Sequence, residues 1–276
     1  MKKKIGLIDL YIDEWHSNNL VKMMMQAKRR DEFELAYAWE EAPFPGRRNL
    51  AEWCSCNNLT AAASIEEVVE KSDAICVLAP ANPEVHLRLA ESALHSGKPV
   101  YVDKPFADSL HAAQTMFELA EKYSTPLMTS SALRFCDELL CGEIQAMKPL
   151  IFNTTGGGRS FAEYAIHQLE MIVSAMGTEV VDMALTGDMD KLALVLKFSG
   201  ARLATAVYAK QLPFSMSTAS EDGMKIYPDV SNMWENFTDA LLDFYTTGVS
   251  CVPKEQTLCI AELLERAVAL QRNSTL

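Results

Sequence analysis

Glu163, His167 and Glu170 lie at i, i+4 and i+7 in the stretch E-Y-A-I-H-Q-L-E. A helix over 161–176 would carry all three on one face. Histidine titrates near neutral pH and is the natural acceptor for the proton of an alcohol. A carboxylate beside it would orient the ring and stabilise its protonated form. The same triple also reads as a solvated helix face with a favourable pair worth only about 0.2–0.5 kcal/mol. As a metal site it lacks further ligands. Asp103 and Lys104 follow a short apolar run in G-K-P-V-Y-V-D-K-P-F at 97–106. A lysine there can hold a hydroxyl oxygen, and can move its proton once burial or a second cation lowers its pKa. Taken alone, Lys104 also reads as a surface lysine in a turn.

The elements that must position these groups alternate in type. Residues 4–10 are a short apolar strand, and 17–30 have helical composition ending in a basic turn. A second strand is expected over 33–39, and short helices over 50–56 and 64–71, the latter opened by a capping box of Ser64 and Glu67. The run 74–79 is continuously apolar, 83–96 is an amphipathic helix closed by Gly97, 100–102 is a strand, 109–123 a helix and 126–130 a strand. This rhythm predicts βαβ units and a Rossmann-like doubly wound parallel sheet over residues 1–132. Ligands of such sheets bind beyond the carboxyl ends of the strands. Pro80, Asn82, Asp103 and Lys104 all follow strands, so they are expected to converge.

The rhythm changes after about residue 136. Helices are expected over 136–147 and 161–176. Strand-like runs V-V-D-M-A-L, L-A-L-V-L-K-F and R-L-A-T-A-V-Y fall between 179 and 227, with turns at Gly187 and at Ser199-Gly200. Two helices, 232–247 and 254–272, close the chain. Residues 133–276 are therefore expected to form an α+β domain with a mostly antiparallel sheet.

Composition narrows the partners. The 276 residues carry a formal net charge of −12, which argues against nucleic acid, whose phosphates are held by lysine and arginine. A small neutral or cationic substrate suits the chain better. Seven scattered cysteines show no zinc spacing and read as reduced thiols. The opening M-K-K-K-I-G-L-I-D is cut by Asp9 too soon for a signal peptide, and no run approaches the 18 apolar residues of a membrane helix, so a cytoplasmic protein is expected. The methionines at 23–25 read as core. His95 and His111 read as surface residues, and Arg47 and Arg48 as a solvated loop or as partners of an NADP 2′-phosphate.

Four segments in order resemble the Gfo/Idh/MocA family of sugar and polyol oxidoreductases. A-P-A-N-P-E-V-H at 79–86 is similar to that family's strand-end proline and asparagine followed by histidine. The 97–106 segment resembles G-K-x-V-x-x-E-K-P. A-L-R-F at 132–135 is similar to the arginine–phenylalanine that opens the second domain, and 163–170 to D-x-x-x-H-x-x-D. The resemblance spans nearly the whole chain. It implies His167 as general base, Lys104 assisting, and Glu163 in the place of an aspartate. It also implies NAD or NADP held near Leu10, Glu40, Pro80, Asn82, His86, Asp103 and Lys104, no metal, and a homo-oligomer, expected as a dimer through an open sheet face.

One segment departs from the family. Its first strand runs into G-x-G-x-x-G/A, but here the stretch is I-G-L-I-D-L-Y-I-D-E-W-H, with Asp9, Tyr11 and Glu14 at the fingerprint positions counted from Gly6. Those glycines make the turn, admit the pyrophosphate and pack helix on strand. Tyr11 would set a ring in the pyrophosphate's place. One like charge about 5 Å away costs about 3 kcal/mol at an effective dielectric near 20, roughly a hundredfold in affinity. Cofactor binding is expected to be weak, displaced or absent. Three readings follow: an NAD(P)-dependent oxidoreductase acting on a hydroxyl of a sugar, polyol or related molecule; a family member without dehydrogenase chemistry that binds ligand or regulates; and a cofactor-independent lyase or isomerase using the same lysine and histidine.

Overall fold

The computed structural model describes residues 1–188 and 190–274. The chain divides into two compact units, residues 1–129 with 237–253, and residues 130–236 with 254–276. The segment 237–253, placed in the second domain on sequence grounds, thus returns to the first unit.

The first unit begins with β1 (Lys3–Asp9), α1 (Trp15–Gln26), β2 (Phe33–Glu40), α2 (Leu50–Asn57), β3 (Thr60–Ala61) and α3 (Ile65–Lys71). It continues with β4 (Ala74–Val77), α4 (His86–Leu94), β5 (Val100–Val102), α5 (Leu110–Lys122) and β6 (Leu127–Met128). The strands form one sheet in the order β3-β2-β1-β4-β5-β6, and every pair is parallel. This is the doubly wound sheet expected from the alternation. Its order reverses between β1 and β4, the switch point at which such sheets take ligands. Ile5, Leu7, Ile8, Ile75 and Val77 are all buried, which is why β1 and β4 read as apolar runs rather than alternating ones. The α3 helix is capped by Ser64, whose hydroxyl accepts the Glu67 N–H at 3.3 Å. The Glu67 carboxylate takes the N–H of Ala63 instead of Ser64, so the capping box is one residue out of register.

The second unit holds two one-turn helices, α6 (Asp137–Leu140) and α7 (Glu143–Ala146), then β7 (Ile151–Gly156) and α8 (Phe161–Met176). A single helix was expected over 136–147. Gly142, at φ +74°, breaks it. There follow β8 (Val180–Asp188), β9 (Lys191–Phe198), β10 (Arg202–Ala209), β11 (Ser215–Ser220) and β12 (Gly223–Tyr227). The sheet order is β12-β11-β7-β10-β9-β8. All neighbours are antiparallel except β7 and β10. Leu192, Leu194, Leu196 and Phe198 alternate inward along β9 and join Leu169, Ile172 and Val173 of α8 in one core, each burial worth about 1.5–3 kcal/mol. Ile260, Leu263 and Ala267 add the inner face of α10 (Lys254–Ser274), the last element of the chain. Before it, α9 (Met233–Thr247) buries Phe237, Leu241, Leu242, Phe244 and Tyr245.

Among the described residues no helix is long and apolar enough to cross a membrane, and no group of three or more His, Cys, Asp or Glu is placed to hold a metal ion.

Candidate active site

At the end of β1, Asp9 is 1% exposed. Its Oδ1 accepts the N–H of Tyr11 at 3.2 Å and that of Ala79 at 3.1 Å. One carboxyl therefore ties β1 to the segment after β4, across the switch point. Burial pushes its pKa well above the carboxylate range, the Glu14 charge adds to that, and the amide donors only partly offset it. Its Oδ2 is buried without a hydrogen-bond partner, which suits a protonated acid.

Glu14 caps α1. Its carboxylate accepts the backbone N–H of His16 at 2.7 Å and of Ser17 at 2.6 Å, and burial raises its pKa. Between Asp9 and Glu14 the loop is pinned from outside. Asp13 receives a two-pronged bond from Arg48, at 2.7 and 2.9 Å, and that guanidinium holds its pKa well below the ordinary range. Tyr11 sets its ring edge-on to Phe44 at 5.2 Å. Glu40, expected beside a ribose, accepts the Ile12 N–H at 3.0 Å instead. The Leu10 carbonyl accepts the N–H of Ala42.

A dinucleotide in a doubly wound sheet rests its pyrophosphate on the first-turn N–H groups of the helix after β1. Here Glu14 holds those groups, and Asp9 closes the turn behind them. Gly6, the glycine retained in this stretch, serves helix packing: a Cβ there would meet Val68 at 2.4 Å. The residues of this turn do not fit a pyrophosphate as they are folded.

After β4, Ala79 turns at φ +71°. Pro80 is half-buried, and Asn82 donates to Glu84 at 2.9 Å. His86 is fully buried, with Nδ1 3.0 Å from Phe106 O and Nε2 3.1 Å from Ala79 O. Burial lowers its pKa against the pull of these two carbonyls, and the ring sits between the two loops, donating to only one carbonyl when neutral. After β5, Asp103 is 4% exposed and takes the Tyr101 hydroxyl at 3.3 Å. His16 Nδ1 lies 2.7 Å from Asp103 Oδ2, off the line of a hydrogen bond, so Oδ2 has no aligned donor. Burial would raise the Asp103 pKa, but the charges of His16 and Lys104 outweigh it and hold the group ionised. Lys104 follows directly, half-buried, before a cis peptide bond to Pro105. His16 is the residue of this neighbourhood that sequence reading passed over. Its signal was its place in the first turn of α1.

In the second unit, His167 lies on α8 with Nδ1 2.7 Å from Ser131 Oγ. Tyr164 and Phe214 stand edge-on to its ring at 5.4 and 5.6 Å. Gly156 at the end of β7 and Gly158 in the loop after it make room for those rings. A Cβ on Gly158 would lie 2.2 Å from the Tyr164 ring, and one on Gly156 2.3 Å from the Phe214 ring. Glu163 pairs with Arg159 at 2.9 Å. Glu170, read as the third member of the helical triple, turns to the chain entering this unit: it accepts the Ser131 N–H at 3.2 Å and Arg134 Nε at 2.5 Å. Arg134 Nη1 in turn donates to Gln256. Ser131 was not foreseen, because nothing in its local sequence distinguishes it from a loop serine.

Comparison with known proteins agrees with this architecture. The family model described as "Oxidoreductase family, NAD-binding Rossmann fold" matches residues 19–131, beginning within α1 and beyond the first turn. No curated protein matches in sequence. A probable dehydrogenase from Thermotoga maritima is similar over 98% of this chain and 97% of its own, at 15% identity and a TM-score of 0.82. A putative myo-inositol dehydrogenase from Sinorhizobium meliloti covers 99% and 98% at 13% identity, TM-score 0.78. The WlbA dehydrogenase from Bordetella pertussis, solved with NADH and UDP-GlcNAcA, gives the same coverage, identity and TM-score. Residues 19–131 carry the sequence signature of the Gfo/Idh/MocA oxidoreductase family, and the whole chain has the Gfo/Idh/MocA fold.

Proposed function

We propose that the chain is an oxidoreductase acting on a hydroxyl group of a sugar, polyol or related small molecule. Lys104 and His167 act on that hydroxyl and its proton, and Glu163 stands by His167 on the same helix. The observation that carries this reading is the seating of His167, one ring nitrogen bonded to Ser131 and both flanks lined by aromatic edges. The family match over the strand end bearing Lys104 supports it, as do neighbours described as an inositol dehydrogenase and as a dehydrogenase holding a sugar nucleotide. NAD or NADP is the cofactor class that the family suggests. Binding it at α1 requires Glu14 to leave the helix N-terminus. The test is a screen of sugars and polyols with NAD and NADP, read by nicotinamide absorbance. Turnover that survives both Lys104→Ala and His167→Ala would remove these residues from the reaction.

The filled first turn favours a second reading, a ligand-binding or regulatory protein without dehydrogenase chemistry. Calorimetric titration with NAD, NADH, NADP and NADPH separates the two. Micromolar binding of any one supports the oxidoreductase, and silence up to millimolar concentration supports the second reading. The proposal also includes a homo-oligomer, expected as a dimer. Its support is the half-exposed apolar set Ile151, Val195, Leu203 and Val207 on one face of the second sheet. The seven cysteines form no disulfide, in accord with a reducing cytoplasm.

A further inference from the structure

The aromatic rings beside His167 are firmly set, yet each stays half-buried. Tyr164 stands one turn before His167 on α8, and Phe214 lies between β10 and β11, with ring centroids 5.4 and 5.6 Å from the imidazole. Both pack against the core of the second unit. The Gly158 backbone lies under the Tyr164 ring and the Gly156 backbone under the Phe214 ring, in space a methyl group would fill. The chain on either side of Phe214 is pinned by Thr155, whose Oγ1 lies 2.8 Å from the Pro213 carbonyl oxygen and 2.8 Å from Ser215 Oγ. Two large rings held half-open beside a polar group forgo part of the burial that would stabilise them. The arrangement suits a ligand that makes one polar contact flanked by apolar ones.

We infer that Tyr164 and Phe214 are specificity-determining residues, which take the C–H face of a cyclic polyol while one of its hydroxyls meets His167. This rests on the proposed reading that His167 meets the substrate. A sugar or cyclitol in a chair gathers C–H bonds on its two faces and sets most hydroxyls around its rim. A hydroxyl placed at His167 then brings a C–H face against the flanking aromatic rings, whose apolar bodies suit it. An open-chain polyol mixes C–H bonds and hydroxyls along every side, so some hydroxyls would be pressed on the rings without a partner. It also loses more rotational freedom when held. A carboxylate or phosphate finds no counter-charge in either ring, and Arg159, next to Gly158 in the chain, is already paired with Glu163 at 2.9 Å.

The test is NMR titration of the whole chain with myo-inositol and with glucitol, a ring and an open chain that have the same number of carbons and hydroxyls. Glucose and galactose serve as further rings. Wild type is expected to bind at least one ring about tenfold tighter than glucitol. Tyr164→Leu and Phe214→Leu should each narrow that ratio by roughly threefold, and Tyr164→Phe, which keeps the ring, should hold it. In wild type, nuclear Overhauser contacts are expected between the ligand C–H protons and the Tyr164 and Phe214 ring protons, a readout that needs no variant to fold. Glucitol binding as tightly as every ring overturns the inference. So does a ring preference that survives both leucine variants, the absence of those proton contacts, or the failure of every ring to bind. Binding is read without turnover. A ring-selective protein that oxidises nothing therefore removes the oxidoreductase reading alone, and an oxidoreductase that prefers open chains removes this inference alone.

Discussion

Of the turns that lead from a strand into a helix, β1 into α1 and β7 into α8 make a contrast. The first is where a doubly wound fold would place glycines, and it has carboxylates. The second has Gly156, Gly157 and Gly158 in a row. In the first turn the acidic groups are closed on the protein itself: Glu14 on the helix N–H groups, Asp9 across two strands, Asp13 on Arg48. In the second the missing side chains leave space for two aromatic rings that line His167. A glycine run therefore reports that something approaches the backbone closely, and its neighbours decide whether that is a phosphate or a ring.

Variants can break this contrast at either end. The largest expected effect is at the residues proposed to meet the substrate hydroxyl. His167→Ala and Lys104→Ala should each lower turnover by roughly 10²–10⁴-fold with the fold intact by circular dichroism; unchanged rates would leave the second turn with no catalytic meaning. Next comes the brace behind Ser131. Arg134→Met leaves the Glu170 carboxylate buried and unpaired, and should cost about 3–5 kcal/mol in denaturant unfolding. A much smaller loss would mean that solvent reaches this pair.

Glu14→Ser keeps a helix cap but removes the carboxylate. NAD or inorganic pyrophosphate should then bind about a hundredfold tighter by calorimetry, equivalent to about 3 kcal/mol. No gain would show that the backbone path of the turn, rather than its charge, excludes the phosphate. Gly158→Ala drives a methyl into the Tyr164 ring and should destabilise by about 1–3 kcal/mol. If it were neutral, the glycine would not be what seats that ring.

The smallest effect concerns Asp9 and depends on pH. Its folded pKa is raised, so its contribution is complete below the unfolded value near 4 and is lost as pH rises toward the folded value. Asp9→Asn retains the Oδ1 acceptor and cannot ionise. Its Tm should match wild type at pH 4 and exceed it at pH 8. Parallel melting curves at both pH values would mean that Asp9 is not strained by its burial.

The sequence made the first sheet legible because β1 and β4 are apolar runs separated by capped helices, and the αβ rhythm leaves few topologies. It made less of the second sheet. β7, with I-F-N-T-T-G, and β11, with S-M-S-T-A-S, carry small polar residues on the open face and lack the alternation that marked β9. The departure at Asp9, Tyr11 and Glu14 was legible as a loss of glycine. That Glu14 would take the helix N–H groups, and that Tyr11 would turn to Phe44, depends on side-chain direction, which spacing does not encode. Glu163 and Glu170 looked equivalent on the helix face. Only the chain entering the second unit, 36 residues before Glu170, distinguishes them.

The discontinuous first unit has a consequence for the order in which the protein is made. Residues 1–129 lack α9, whose Tyr245 hydroxyl reaches the Ile75 carbonyl at 3.3 Å and whose Phe237 meets the Tyr101 ring. That segment leaves the ribosome about a hundred residues later, roughly five to twenty seconds at ordinary synthesis rates. Through that interval the nascent sheet waits with Tyr101 uncovered, a natural stretch for a chaperone to hold.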